Sequence, residues 1–217
     1  MNVFPERIMQ RLEAAKVVAG FSIDRVEDAV PLAQALLAGG ISVVELTLRT
    51  EAGMAAVKAI SEGVPDMLLG VGTILTPDQA REVKANGADF GVSPGLNRKV
   101  IEAAQQADLP FAPGIATPSE LEAAIECGCR FVKFFPAEAA GGLPYLKSIS
   151  APYAHLGVKF FPLGGLNATN MVNYLLEKNV PAIGGSWIVK PDLVQQKAWD
   201  QITARATEVC QIAAKTT

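Results

Sequence analysis

The feature that most constrains the fold of this chain is a regular alternation of short apolar or β-branched runs with longer stretches of helical period. Eight such runs recur about every 20 to 28 residues, which suits one strand and one helix per repeat. The predicted strands are Val17–Phe21, Ser42–Leu48, Met67–Val71, Asp89–Val92, Phe111–Ala112, Arg130–Phe135, Val158–Leu163 and Ala182–Gly184. Eight strands that are each followed by a helix predict an α/β protein of the (β/α)8 or TIM barrel class.

An open, doubly wound parallel sheet is the alternative to a closed barrel. Such a sheet more often has a glycine fingerprint after its first strand, and Phe21-Ser22-Ile23 offers none. Met1–Lys16 is predicted to form an additional amphipathic helix before the first strand. A length of 217 residues fits a single barrel domain, residues 1–217, because such barrels need at least ~200 residues.

Local signals mark where several helices begin and end. Thr76-Pro77-Asp78-Gln79 and Thr117-Pro118-Ser119-Glu120 each predict a capping box, with threonine as the N-cap and proline in the first turn. Glycines after helical runs, at Gly39-Gly40, Gly87 and Gly128, predict left-handed C-caps.

Composition and charge exclude several classes of function. A net charge of -3 gives no basic surface for nucleic acid or an anionic membrane, and no apolar run reaches the ~18 residues of a membrane span. A single histidine, His155, excludes a multi-histidine metal site and argues against a Ser-His-Asp triad. Three cysteines and a polar amino terminus indicate a cytoplasmic protein with reduced thiols.

The second predicted strand has an unusual polar face. Because strand side chains alternate, Glu45, Thr47 and Arg49 share one face, which should point into the barrel mouth. Burying a carboxylate and a guanidinium there is costly, which suggests a functional role. The structural alternative is an ion pair between Glu45 and Arg49 that simply neutralises itself.

The sixth predicted strand places Lys133 among large apolar residues. Desolvation disfavours the ammonium form, and a neutral amine can attack a carbonyl to form an imine. The structural alternative is a lysine whose amine extends to the rim of the barrel.

The seventh predicted strand repeats the same five residues as Val158-Lys159-Phe160-Phe161-Pro162, so the pentapeptide alone does not identify the reactive lysine. Leu156-Gly157 suggests that Lys159 lies near the start of its strand, at the bottom of the barrel. Lys133 should lie further toward the top, where active sites of this fold are found.

The last two strands are each followed by glycines. Gly164-Gly165 and Gly184-Gly185-Ser186 occupy the loops that commonly bind phosphate in these barrels, although glycines also occur in such turns for conformational reasons. At other strand ends, Thr73 can hydrogen-bond a substrate oxygen, while Pro94 and Phe135 can form walls of the pocket.

Taken together, these motifs resemble one family, the 2-keto-3-deoxy-6-phosphogluconate (KDPG) and 4-hydroxy-2-oxoglutarate (KHG) aldolases. The resemblance runs in order through Glu45-Leu-Thr-Leu-Arg49, Gly72-Thr73, Ser93-Pro94-Gly95, Pro113-Gly114-Ile115, Val132-Lys133-Phe-Phe-Pro-Ala-Glu138, Gly164-Gly165 and Gly184-Gly185-Ser186-Trp187. It implies a homotrimeric (β/α)8 barrel that cleaves KDPG to pyruvate and glyceraldehyde 3-phosphate, and KHG to pyruvate and glyoxylate. This class I chemistry uses no metal or organic cofactor.

The resemblance also implies a role for each site residue. Lys133 forms the Schiff base and Glu45 is the acid/base, while Arg49 and Thr73 hold the carboxylate. Both glycine pairs and Ser186 bind the phosphate.

Two positions depart from the family pattern. Leu163 stands where relatives often have threonine, and Phe21-Ser22-Ile23 stands where some have an arginine, for which Arg25 comes too late. Two other functions remain open at this level: a phosphosugar epimerase or isomerase using Glu45 as a base, and a non-catalytic sugar-phosphate sensor.

Overall fold

The structure is a computed structural model, and it describes residues 4–216. Short parallel strands alternate with helices along the chain, as the periodicity predicts. The strand segments are β1 Val17–Phe21, β2 Val43–Thr47, β3 Leu68–Gly72, β4 Phe90–Val92, β5 Phe111–Ala112, β6 Gly114–Ile115, β7 Phe131–Phe134, β8 Lys159–Pro162 and β9 Ile183–Gly185. The helices are α1 Glu6–Ala15, α2 Ala29–Ala38, α3 Gly53–Gly63, α4 Pro77–Ala85, α5 Arg98–Gln106, α6 Pro118–Glu126, α7 Gly142–Ser150, α8 Met171–Leu175, α9 Pro191–Gln195 and α10 Trp199–Ala214.

The strands form two parallel sheets. One has six strands in the order β5-β4-β3-β2-β1-β9, and the other has three in the order β6-β7-β8. Pro113 separates β5 from β6, because proline has no N–H to give to a ladder. The sequence therefore predicted Phe111–Ala112 correctly but missed the continuation of this strand at Gly114–Ile115. An α/β fold with parallel strands is confirmed.

The helix-capping predictions are largely confirmed. Thr76 and Thr117 each accept a hydrogen bond from the backbone N–H three residues on, and both capping boxes are complete. Gly40, Gly87 and Gly128 adopt positive φ angles of 95°, 91° and 80°. The prediction for Gly39 was wrong: its φ is -83°, because the left-handed turn is made by the second glycine of that pair.

Two apolar clusters lie on the two faces of the strands. The outer cluster fills the space between strands and helices and includes Leu46, Val71 and Ile183. The inner cluster lies on the opposite face of the strands. It consists of Phe4, Ile8, Leu12, Val18, Val43, Leu68, Phe90, Val92, Ala112, Phe131, Phe161, Leu163 and Ala182.

The predicted amino-terminal helix is present as α1, while Met1–Val3 of that prediction lie outside the described residues. Ile8 and Leu12 are 2% and 0% exposed and belong to the inner cluster, so α1 covers the end of the strands where each begins. Arg11 fixes this position by donating to the backbone carbonyl of Asp66 at 2.6 Å, just before β3. No helix within residues 4–216 is long and apolar enough to cross a membrane.

Candidate active site

The central feature of the site is a buried ion pair between strands of the two sheets. Lys133 on β7 donates from Nζ to Oε1 of Glu45 on β2 at 3.0 Å. Their side chains are only 5% and 2% exposed. The same amine lies 5.0 Å from the centre of the Phe135 ring. Removing either partner would leave a buried charge without compensation, which typically costs ~3–5 kcal/mol.

Glycines on the two neighbouring strands flank the carboxylate of Glu45. Gly20 on β1 is the register partner of Glu45, and Gly72 on β3 lies two residues beyond its other partner, Gly70. A Cβ at Gly72 would come within 2.8 Å of Cδ and 2.9 Å of Cγ of Glu45, closer than real contacts allow. At Gly20 a Cβ would lie 3.6 Å from Oε2, an ordinary contact. The absence of a side chain at Gly72 therefore fixes where Glu45 can be.

Both structural alternatives for the charged residues are wrong. Among residues 4–216, Glu45 forms its ion pair with Lys133 and Arg49 forms none. The Lys133 amine does not extend to the rim, since it is almost fully buried. Arg49 is instead exposed at the cleft, with its guanidinium available to an anion.

The second lysine of the repeated motif lies elsewhere, as its strand position predicted. Lys159 is the first residue of β8, and its Nζ donates to the backbone carbonyl of Lys178 at 2.9 Å. The register pairs Lys159 with Phe131 and Lys133 with Phe161. Lys159 is thus two residues lower in the strand layer than Lys133.

An open cleft of about 490 Å³ lies over the ion pair. It brings together residues that the sequence placed at the site: Glu45, Thr47, Arg49, Lys133, Phe135, Leu163, Gly164, Gly185 and Ser186. Thr73, Pro94 and Gly165 do not line it. Gly165 is exposed on the loop after β8, next to Gly164.

Thr73 and Pro94 nevertheless lie beside this centre. Thr73 directly follows Gly72 and has a φ of 61°, an uncommon conformation for a β-branched residue. The backbone of Pro94 presses against Gly114, where a Cβ would collide with it, and Gly114 is the register partner of Lys133. Strain of the kind seen at Thr73 tends to occur at functional sites.

The loop that contains Gly164-Gly165 is held by the segment after β7. Backbone N–H groups of Ala137 and Glu138 donate to the carbonyls of Leu163 and Gly164 at 2.8 and 3.0 Å. Glu138 also accepts a hydrogen bond from the hydroxyl of Tyr174 at 2.5 Å. Burial, followed by that hydrogen bond, raises the pKa of Tyr174 above its ordinary value.

Several cleft residues were not identified from the sequence. Ser22, Asp24 and Lys190 line the cleft together with the predicted residues. The sequence draws attention to Ser22 only within Phe21-Ser22-Ile23, which lacks both a glycine fingerprint and the arginine of some family members. Arg25, by contrast, pairs with Asp28 at 2.7 Å and is not part of the cleft lining. A serine or lysine in a loop has no sequence signature, so only the fold could identify these residues.

Comparison with known proteins gives the site its context. A parallel α/β fold with an amine and a carboxylate paired beneath a cleft is the arrangement expected of a lyase that works through a lysine. Residues 8–205 match the family described as KDPG and KHG aldolase. The chain belongs to this family.

Relatives and solved structures agree with that assignment. The chain is 45% identical over 199 residues to the 2-dehydro-3-deoxy-phosphogluconate aldolase of Dickeya dadantii, covering 92% of each chain. It is 42% identical over 200 residues to the KHG/KDPG aldolase of Escherichia coli, covering 92% of this chain and 93% of that one. A KDPG aldolase from Legionella pneumophila, with pyruvate captured as a covalent carbinolamine, superposes with a TM-score of 0.88. Its sequence is 43% identical, and the match covers 93% of this chain and 97% of that one.

Proposed function

We propose that this protein is a class I aldolase that cleaves KDPG to pyruvate and glyceraldehyde 3-phosphate. The observation that carries the proposal is the buried Lys133–Glu45 pair at 3.0 Å. An amine and a proton-accepting group in direct contact, at the floor of an open cleft, are the two groups that imine chemistry on a keto acid requires. The names of the relatives support KDPG as the substrate.

We also propose that residues 1–217 form a single, closed (β/α)8 barrel. The pairing of Lys133 from the three-stranded sheet with Glu45 from the six-stranded sheet supports closure. So does the aromatic layer in which Phe4 contacts Phe90 and Phe131, with ring centroids 5.9 and 4.8 Å apart, because these strands belong to different sheets. In such a barrel the cleft lies at the carboxyl ends of the strands.

The first stage of the reaction forms the imine. Glu45 accepts a proton from the Lys133 ammonium across the 3.0 Å contact, and the neutral amine attacks the C2 ketone. The resulting carbinolamine loses its hydroxyl as water when Glu45 returns the proton. The iminium that remains draws electrons from the neighbouring bonds, so it stabilises negative charge at C3.

The second stage breaks the carbon–carbon bond. Glu45, again a carboxylate, takes the proton of the C4 hydroxyl, the C3–C4 electron pair moves toward the iminium, and the aldehyde leaves. The enamine is then protonated at C3, and water hydrolyses the iminium to release pyruvate. Proton transfer by a positioned carboxylate contributes typically ~10²–10⁴ in rate.

The remaining residues bind and orient the substrate. Arg49 offers a planar guanidinium without a competing ion pair in the described chain, which suits bidentate recognition of the carboxylate. Thr73 adds a hydrogen bond from its strained position beside Gly72. Phe135 forms a wall beside the amine, and Pro94 lies against Gly114, the register partner of Lys133.

The phosphate of the substrate is assigned to the loops after β8 and β9. Gly164, Gly165, Gly185 and Ser186 provide backbone N–H groups and a hydroxyl. Gly164 and Gly165 have φ angles of 95° and 85°, which only glycine adopts readily. Lys190, which also lines the cleft, adds a cation.

KHG is proposed as a second substrate, cleaved to pyruvate and glyoxylate, because the Escherichia coli relative is named for both activities. We propose further that the protein is a cytoplasmic homotrimer. The resemblance supports the trimer, and three cysteines in odd number support a reducing compartment.

Borohydride reduction in the presence of pyruvate tests the chemistry directly. We expect a reduced pyruvyl adduct at Lys133 and an unmodified Lys159, both located by peptide mass spectrometry. An epimerase, an isomerase or a non-catalytic sensor that uses Glu45 without an imine would give no adduct. Label at Lys159 would overturn the assignment of the nucleophile.

A further inference from the structure

Two hydroxyl groups lie side by side where β1 and β2 end at the cleft. The Oγ of Ser22 and the Oγ1 of Thr47 are 2.7 Å apart. The Thr47 hydroxyl also lies 3.1 Å from the backbone carbonyl of Phe21, to which it donates. Thr47 is 8% exposed and Ser22 is half-buried, and both residues line the cleft, so the pair forms part of its wall.

The hydrogens of this pair can be placed from its contacts. A carbonyl oxygen can only accept, so satisfying both contacts requires Thr47 to give its single hydrogen to Phe21. The 2.7 Å contact must then be a bond that Ser22 donates to Thr47. The hydrogen of Ser22 is committed to the protein, and its oxygen retains lone pairs that can only accept.

A neighbour of Ser22 in the cleft also offers hydrogen-bond acceptors. Asp24, two residues further along and also lining the cleft, carries only acceptor oxygens when ionised. Of the donors that line the cleft, Lys133, Ser186 and Lys190 come from other strands or loops, and Arg49 lies two residues beyond Thr47, just after β2. The segment that follows β1 therefore presents hydrogen-bond acceptors, while the groups that can bind an anion come from the end of β2 and from the loops after β8 and β9.

We propose that Ser22, oriented by Thr47, is a specificity residue that accepts a hydrogen bond from a hydroxyl group on the aldehyde half of the substrate. This inference rests on the proposed aldolase function. Pyruvate offers only a ketone and a carboxylate, which are acceptors at neutral pH, so it cannot satisfy Ser22. The aldehyde half is the part of the substrate that bears free hydroxyl donors.

The orientation also excludes the wrong groups. A carboxylate or phosphate oxygen placed against Ser22 would meet a lone pair rather than a hydrogen, and the carboxylate of Asp24 would repel its charge. The β1 end of the cleft thus selects a neutral polyol segment and directs anionic groups toward Arg49 or the glycine loops. A site that hydrogen-bonds a substrate hydroxyl discriminates more strongly against an analogue without that hydroxyl than an apolar pocket does against a missing methylene, because the analogue leaves a polar atom of the site unsatisfied.

Two aldehydes that differ by one hydroxyl test the proposal. In the condensation direction, pyruvate is offered with glyceraldehyde 3-phosphate or with 3-oxopropyl phosphate, which has the same phosphate and aldehyde but lacks the hydroxyl. The measured quantity is the ratio of kcat/KM for the two aldehydes. We expect Ser22→Ala to lower this ratio roughly 5- to 10-fold, the effect of losing one hydrogen bond.

Thr47 is a positioning residue, and a matched pair of variants tests it. Thr47→Val removes the acceptor that orients Ser22 and should lower the same ratio, whereas Thr47→Ser keeps the hydroxyl and should restore it. Ser22→Thr keeps the acceptor oxygen and should retain the ratio, which provides a second test should Ser22→Ala fold poorly.

Two results would overturn the inference. One is an equal loss of kcat/KM for both aldehydes in Ser22→Ala, which would indicate a role in shape or stability. The other is an unchanged ratio in a folded Ser22→Ala or Thr47→Val protein. Borohydride trapping with pyruvate separates this failure from failure of the aldolase proposal, because Ser22→Ala should still form the Lys133 adduct.

Discussion

Two segments of this chain share the sequence Val-Lys-Phe-Phe-Pro, and the fold gives their lysines opposite surroundings. In the β7 copy, Lys133 is the third residue of its strand, is 4% exposed and pairs with Glu45. In the β8 copy, Lys159 is the first residue of its strand, and its amine bonds a backbone carbonyl near the surface. The two strands are hydrogen-bonded neighbours, so the difference arises within a few ångströms.

The difference comes from register. Lys133 lies opposite Phe161 and Lys159 lies opposite Phe131, an offset of two residues, or roughly 6.6 Å along a strand. That offset moves the amine from the buried layer of Glu45 to the rim where the strands begin. Identical local sequence therefore leaves the chemistry of an amine undetermined, because burial and the charged partner come from distant parts of the chain.

The same conservative substitution at both copies should produce the largest contrast. Lys133→Arg keeps a cation beside Glu45 but cannot form an imine, so both borohydride trapping and turnover should be abolished. Lys159→Arg should leave turnover near wild type and change stability by no more than ~0.5 kcal/mol, as is usual at surface positions. Turnover that survives in Lys133→Arg and vanishes in Lys159→Arg would reverse the assignment.

Removing the charged partner that only Lys133 has should produce the next largest effect. Glu45→Gln keeps the size and some hydrogen bonding but removes the base, so kcat should fall about 10²-fold or more. Pyruvate should still be trapped after long incubation, because the amine remains. A near-normal kcat at saturating substrate, with only a lower melting temperature, would remove Glu45 from the mechanism.

Moving that partner without removing it should have a smaller effect. A Cβ in Gly72→Ala would press on the Glu45 carboxylate and shift it from Lys133, and displacements near 1 Å can cost up to about 10²-fold in rate. Gly95→Ala is the matched control, since a Cβ there meets nothing within 4 Å. Equal kcat values for the two variants would mean that the position of Glu45 is not critical.

The smallest expected effect is on stability, and it comes from the hydrogen bond between Glu138, which follows the β7 copy, and Tyr174, which follows the β8 copy. Tyr174→Phe removes the hydrogen bond to Glu138, which holds the Gly164 loop, and should cost roughly 1–2 kcal/mol of stability. Folding raises the pKa of Tyr174 above its ordinary value of 10.0. The contribution of Tyr174 to the free energy of unfolding is therefore fully present below pH 10.0 and is lost as the pH rises above it. Tyr174→Phe should lack this alkaline decline in a series of thermal melts. Identical pH profiles would exclude the contribution of Tyr174.

The parts of the structure that the sequence predicted are those encoded by local patterns. The strand–helix period located the strands, and Thr76 and Thr117 identified two helix starts through bonds that span three residues. The polar face of β2 identified Glu45 and Arg49 as unusual because a buried charge is costly wherever it occurs. The position of Lys159 was also predicted, from the glycine before it.

The parts that were missed depend on contacts between distant segments. The ion pair joins residues 88 positions apart, and the polar face of β2 offered only Arg49, as an alternative, for the partner of Glu45. Ser22 and Lys190 are ordinary surface residue types that become part of the cleft only through the fold. The strand continuation after Pro113 was missed because proline normally ends a strand.

The aromatic layer around Phe4 has a consequence for the order of events in catalysis. Phe4, Phe90, Phe131 and Phe161 are all at most 7% exposed, and α1 covers them from below, so within residues 4–216 the Lys133 amine is open to small molecules from the cleft and closed off below. In the synthetic direction the keto acid must enter first, since an aldehyde bound nearer the mouth would block its path. In the cleavage direction the aldehyde must depart before pyruvate. The kinetics should be ordered, with pyruvate as the first substrate to bind and the last product to dissociate.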